Sequence, residues 1–180
     1  MIIQPGDFCC VPISGNIGKL ISFGEWLDGD GFTDYDHAEI FIDEADTKGP
    51  FGYTIGAYPG GAAKIALPCP PQELSNALWS SNSFILTSEE RLSIVASAAK
   101  LLGTPYSALD YFALVLHRFG LNADLVRDYI ASTGHMICSQ LVDYTYFQSG
   151  VHLFSDNRWF GYVTPADLAN VIKEKLVDGK

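Results

Sequence analysis

Asp36-His37-Ala38-Glu39-Ile40-Phe41-Ile42 opens on polar residues and continues as an apolar run, the pattern of a partly buried strand from His37 to Asp43. Two more strand-like runs follow it, Phe51 to Tyr58 and Ala62 to Leu67, the pair joined by the turn residues Pro59-Gly60-Gly61. Upstream, the turn Gln4-Pro5-Gly6-Asp7 leads into Phe8-Cys9-Cys10-Val11, a short apolar run that suits a buried strand. A small antiparallel meander or barrel is therefore predicted for the first half. Ser83 to Leu86 adds a further predicted strand, and the segment from Pro71 to Trp79 a short helix.

Around this meander the character is helical. Asn16 to Trp26 places Ile17, Leu20 and Ile21 on one face, and Asp28-Gly29-Asp30-Gly31 stops it with turn residues. Thr87 with Glu90 forms a capping-box signature, followed by Leu92, Val95, Ala96, Ala99 and Leu102 at helical spacing until Gly103. Tyr106 to Phe119, Ala123 to Ala131 and Met136 to Gln148 read as three more helices, and Thr164-Pro165 as the cap and first residue of a last one. Strands first and long helices second is the element order of an α+β domain, predicted to span residues 1–180 as one unit.

Composition narrows the function classes. The 180 residues are 48% hydrophobic and 18% charged, enough to fill one core. A formal charge of −10 disfavours nucleic acid as a partner, because a phosphate backbone needs a basic surface. No apolar run reaches the roughly 18 residues of a membrane span, and Met1-Ile2-Ile3-Gln4-Pro5 lacks the pattern of a signal peptide. A cytoplasmic location is the default expectation, and nothing in the sequence sets an oligomeric state. The four cysteines, Cys9, Cys10, Cys69 and Cys138, have neither zinc-site spacing nor a disulfide framework. Cys9 and Cys10 read as small buried hydrophobes. No cofactor is expected. A metal site from Asp36, His37 and Glu39 is disfavoured because alternation sends Asp36 to the opposite face from the other two.

Cys138 stands at a predicted helix start, Ile137-Cys138-Ser139-Gln140-Leu141-Val142, after Gly134. Unpaired amides and the positive end of the helix dipole favour a thiolate there, and the residue's own N–H can donate to an oxyanion. The alternative is a small residue in a buried first turn. As a nucleophile Cys138 needs a base. His37, at the head of an apolar strand, is the better placed of the four histidines. His135, three residues before Cys138, competes only if the helix begins earlier. His117 and His152 have no neighbours in sequence that would tune them and read as structural. Glu39, two residues along the strand from His37, shares its face and is a candidate for orienting the imidazole, as are Thr54 and Tyr58.

Pro5-Gly6-Asp7-Phe8, Asp36 to Ile42, Gly103-Thr104-Pro105-Tyr106 and Ile137 to Val142, in that order, resemble the circularly permuted branch of the NlpC-type papain-like hydrolases. That branch includes YiiX-like bacterial proteins and is related to lecithin retinol acyltransferase. The resemblance implies a permuted papain-like fold, Cys138 as nucleophile, His37 as general base, and Tyr106 beside the cleft, where the other reading of Tyr106 is a helix anchor. It also implies a small peptide or an acyl lipid as substrate, with transfer of the acyl group to water or, as in the acyltransferase relatives, to another nucleophile. One departure stands out. The family's glutamate on the second strand of the meander falls here at Gly56, in Gly56-Ala57, so either another group orients His37 or the fold serves as a non-catalytic binding module.

Overall fold

The computed structural model describes residues 2–12, 34–42, 51–106, 134–156 and 158–178. Short, largely apolar runs form β1 (Phe8–Val11), β2 (His37–Phe41), β3 (Tyr53–Tyr58) and β4 (Gly61–Ala66), and a two-residue strand β5 (Leu78–Trp79) completes the set. Among the described residues these make one antiparallel sheet in the order β4-β3-β2-β1-β5. The sheet is open, with β4 and β5 at its two edges. The α+β class is as expected, and closure into a barrel is not.

The fifth strand differs from the expected one. Leu78 and Trp79 pair with Cys10 and Cys9 on the outer edge of β1, while Ser83 to Leu86 forms no strand. Edge pairing explains the choice. Ser80 continues the match, its N–H donating to the Phe8 carbonyl at 2.8 Å and its hydroxyl accepting from the Phe8 N–H at 2.9 Å, so buried backbone groups of β1 are satisfied. Ser83 N–H then turns back to the Ser80 carbonyl at 2.9 Å. The helix expected between Pro71 and Trp79 is reduced to one 3₁₀ turn, Pro71–Glu73.

Three α-helices are described: α1 (Ser88–Lys100), α2 (Cys138–Gln148) and α3 (Pro165–Asp178). Thr87 and Glu90 close the predicted capping box on α1. On α3, Thr164 and Asp167 exchange the same pair of bonds at 3.0 Å each, with Pro165 at the first position. The helices expected at 16–26, over most of 106–119 and at 123–131 lie outside the described residues; Tyr106 itself is not helical.

Alternation along β2 divides its side chains. Ala38 and Ile40 are fully buried in the main core with Phe8, Ile55, Leu141, Val142 and Ile172, whereas Phe41 packs with Cys9, Leu67 and Trp79 in a second, smaller cluster. Each fully buried aliphatic side chain stabilises by about 1.5–3 kcal/mol. Cys9 and Cys10 are buried free thiols, as their apolar setting suggests. α2 supplies the centre of the main core, lying across β2 and β3 and against α1.

The face of α1 is a correction. Ile94 and Ala98 form its buried stripe, and Leu92, expected inside, is 71% exposed. A tertiary tie sets the rotation. Arg91 reaches inward to the Asp7 carboxylate at 2.8 Å and the Pro5 carbonyl at 3.0 Å. Asp7 also accepts from the Gln4 N–H and the Ser81 hydroxyl, each at 2.8 Å. Asp7→Ala would leave these donors unpaired, and a loss of about 3 kcal/mol is expected. Thermal unfolding should register this as a midpoint roughly 6–12 °C lower. An unchanged midpoint would mean that the cluster contributes nothing net.

Candidate active site

The two residues singled out at element boundaries meet. Cys138 is the first residue of α2, and His37 is the first residue of β2. The Cys138 sulfur acts directly on the His37 ring, although about a hundred positions separate the two in the chain. Both are buried, Cys138 at 4% exposure and His37 at 5%.

The first turn of α2 is anchored by its own sequence. Ser139 donates its hydroxyl hydrogen bond to the Val163 carbonyl at 2.7 Å. Gln140 spans two elements, accepting from the Ile137 N–H at 3.0 Å and donating to the Gly161 carbonyl at 2.9 Å. These bonds hold the Cys138 turn against the 159–163 segment. Sequence reasoning passed over Ser139 and Gln140 as site supports. The one signal was a glutamine three residues after Ile137, half of a capping box without the Ser or Thr that normally announces it.

Glu39 lies on the same face of β2 as His37, with Oε1 at 3.3 Å from Nε2. Nε2 is buried and makes no aligned hydrogen bond there, so the contact is an ion pair rather than a directed bond. β3 holds the carboxylate from its far side. Thr54 donates to Oε2 at 2.5 Å, Tyr58 donates to Oε1, and the Tyr58 ring lies 4.7 Å from the imidazole, centroid to centroid. Thr54 and Tyr58 thus act on Glu39, whereas the sequence suggested them as partners of His37.

Charge follows this geometry. Burial alone would lower the His37 pKa, but the Cys138 sulfur and the Glu39 carboxylate overcome it and push the value up to about 10. Burial works against Glu39 as well, yet the His37 contact and the two hydroxyl donors bring its carboxyl below the usual value. Tyr58 is raised, first by burial and then by the carboxylate beside it, so it remains a phenol and a donor.

The other candidates fall as follows. Tyr106 is half-buried against the main core, and the neighbouring Pro105 carbonyl accepts from the Met136 N–H at 3.0 Å, two residues before Cys138. His135 precedes the helix, so it does not share a helix face with Cys138. It lines a cavity of about 400 Å³ together with Leu101, Met136, Tyr144, Trp159 and Phe160. His152 is exposed and stacks edge-on with Phe147 at 5.3 Å, and His117 lies outside the described residues. Among the described residues no group of three or more His, Cys, Asp or Glu side chains is arranged to hold a metal ion, and no helix is long and apolar enough to cross a membrane. No protein-family model matches this sequence, and a search among curated proteins finds no match to it.

Proposed function

We propose that this protein is a cysteine-dependent hydrolase of papain-like type in circularly permuted order, acting on an amide or ester bond through an acyl-enzyme on Cys138. The observation that carries this reading is that Cys138 and His37, each opening an element, interact directly, with the Glu39 carboxylate 3.3 Å from the imidazole. Nucleophile, base and orienting group in series is the arrangement that acyl transfer needs.

In this reading the Cys138 proton rests on His37, whose charged form the site favours, and the Cys138 thiolate attacks the substrate carbonyl. The Cys138 N–H, among the amides that a helix start leaves without an intrahelical partner, donates to the oxyanion. His37 returns the proton to the leaving amine or alcohol as the tetrahedral intermediate collapses. Water, deprotonated by the same imidazole, then releases the acid and frees the thiol. Glu39 keeps the imidazole turned and stabilises its charged form. The cavity beside Met136 offers a place for the group next to the scissile bond, and its aromatic lining suits an apolar one. Cell-wall peptide amides and acyl lipids are the substrate classes that the resemblance suggests.

Trapping tests this directly. Incubation with p-nitrophenyl acetate should give one nitrophenolate per chain in a burst and an acetyl mass on the Cys138 peptide. His37→Ala should remove the burst. A panel of peptide amides and acyl lipids, with water and amine or alcohol acceptors compared, then separates hydrolysis from transfer. Acetylation of Cys138 no faster than that of a small-molecule thiol would favour a non-catalytic binding module.

A further inference from the structure

Gly56 sits at the middle of β3, directly across from Glu39 in the register of β2 and β3. Its backbone angles are not in the left-handed region, so the conformation does not call for glycine. Space does. A Cβ built there would lie 3.0 Å from Glu39 Cγ, 3.1 Å from His37 Nε2 and 3.3 Å from the Ala38 carbonyl oxygen, all tighter than ordinary contact. Glycine in a strand interior weakens the strand and often marks a close approach. Here the side-chain atoms that approach are the imidazole Nε2 and the Glu39 methylene that carries the carboxylate.

The row across the sheet points the same way. Glu39 is flanked by Cys9 on β1 and Gly56 on β3, with Ala63 beyond on β4. Small residues on both sides leave a slot for a carboxylate that starts from the histidine's own strand. Side chains two apart on a strand begin roughly 6–7 Å apart, so Glu39 reaches the ring only by bending back over its neighbour's position. Thr54 and Tyr58, on either side of Gly56, hold the two oxygens in that bent form.

We propose that Gly56 is a positioning residue of the Cys138 centre: by carrying no side chain, it opens the space in which Glu39 lies against the imidazole. This rests on the catalytic reading given above. Gly56, Thr54 and Tyr58 form a cradle on β3 that replaces an orienting side chain on that strand. Any side chain at 56 displaces either Glu39 or His37.

The test is the pH profile of Cys138 acetylation by p-nitrophenyl acetate in the wild type, Glu39→Ala, Gly56→Ala and the double variant, alongside an NMR titration of the His37 ring. Gly56→Ala should slow acetylation at pH 7 about tenfold and shift the alkaline limb and the His37 titration toward lower pH, as Glu39→Ala does. In the Glu39→Ala background, where Cγ is gone and the ring can yield, the added methyl should change the rate by less than about twofold. That comparison holds even if Gly56→Ala alone fails to fold. A wild-type profile in Gly56→Ala, or two substitutions whose effects simply multiply, would overturn the inference while leaving Cys138 as nucleophile. A wild-type protein whose Cys138 reacts like a free thiol would overturn both together.

Discussion

His37→Ala should slow acylation of Cys138 at pH 7 by about 10³-fold, the larger part of what a positioned base supplies. The expectation follows from burial as much as from proximity. Cys138 is almost out of contact with solvent, so bulk water and buffer are poor substitutes for the imidazole beside it. Stopped-flow release of nitrophenolate gives the number. Thermal unfolding alongside it controls for damage to the core, since His37 lies at the head of a strand and outside the main apolar cluster. A fall of less than about tenfold would mean that another group takes the proton.

Glu39→Gln is the second large effect, and its signature is in pH. His37 has a folded pKa raised above its ordinary 6.5, so the stability and the charged pair it contributes are fully present below about 6.5 and are lost as pH rises through about 10. Glu39 has a folded pKa below its ordinary 4.5, so its contribution is present above 4.5 and is lost as pH falls through the lower folded value. Between these limits both groups are charged and the site is intact. Glutamine keeps the size but removes the charge, which draws the His37 titration down by roughly one to two units. Acylation at pH 7 should fall about 10- to 100-fold, and the alkaline limb should move to lower pH. The acid-side loss due to Glu39 should disappear from a stability–pH curve. An alkaline limb that stays in place would assign the imidazole's orientation to some group other than Glu39.

Much of this site was legible in the residues because the two side chains that meet there stand at element boundaries. A polar residue opening an apolar strand, and a cysteine opening a helix after a glycine, are local patterns. The position of Glu39 was half legible. Period-two alternation placed it on the histidine's face, but whether it reaches the ring depends on what lies opposite, which is a matter of register. No two-residue turn joins β2 to β3, so the sequence does not fix that register. Gly56 therefore looked like a missing residue, whereas across from Glu39 it leaves room for that side chain to pass.

The fold was readable to the same depth. Strand and helix types followed from periodicity, and the caps at Thr87 and Thr164 from a few side chains each. The rotation of α1 was not readable, because it is fixed by Arg91 meeting Asp7 from a distant turn rather than by the helix's own pattern. Two residues, Leu78 and Trp79, are too few to show a period, and their strand exists because β1 has an open edge to satisfy.

The chain carries its own reference thiol for the decisive measurement. Cys69 is half-exposed and Cys138 is buried, so accessibility alone would direct an electrophile to Cys69. With limiting iodoacetamide at pH 7, followed by peptide mapping, Cys138 should take up the label ahead of Cys69, and that preference should vanish in His37→Ala. Labelling of Cys69 first, with Cys138 left unmodified in the folded protein, would contradict an activated Cys138–His37 centre.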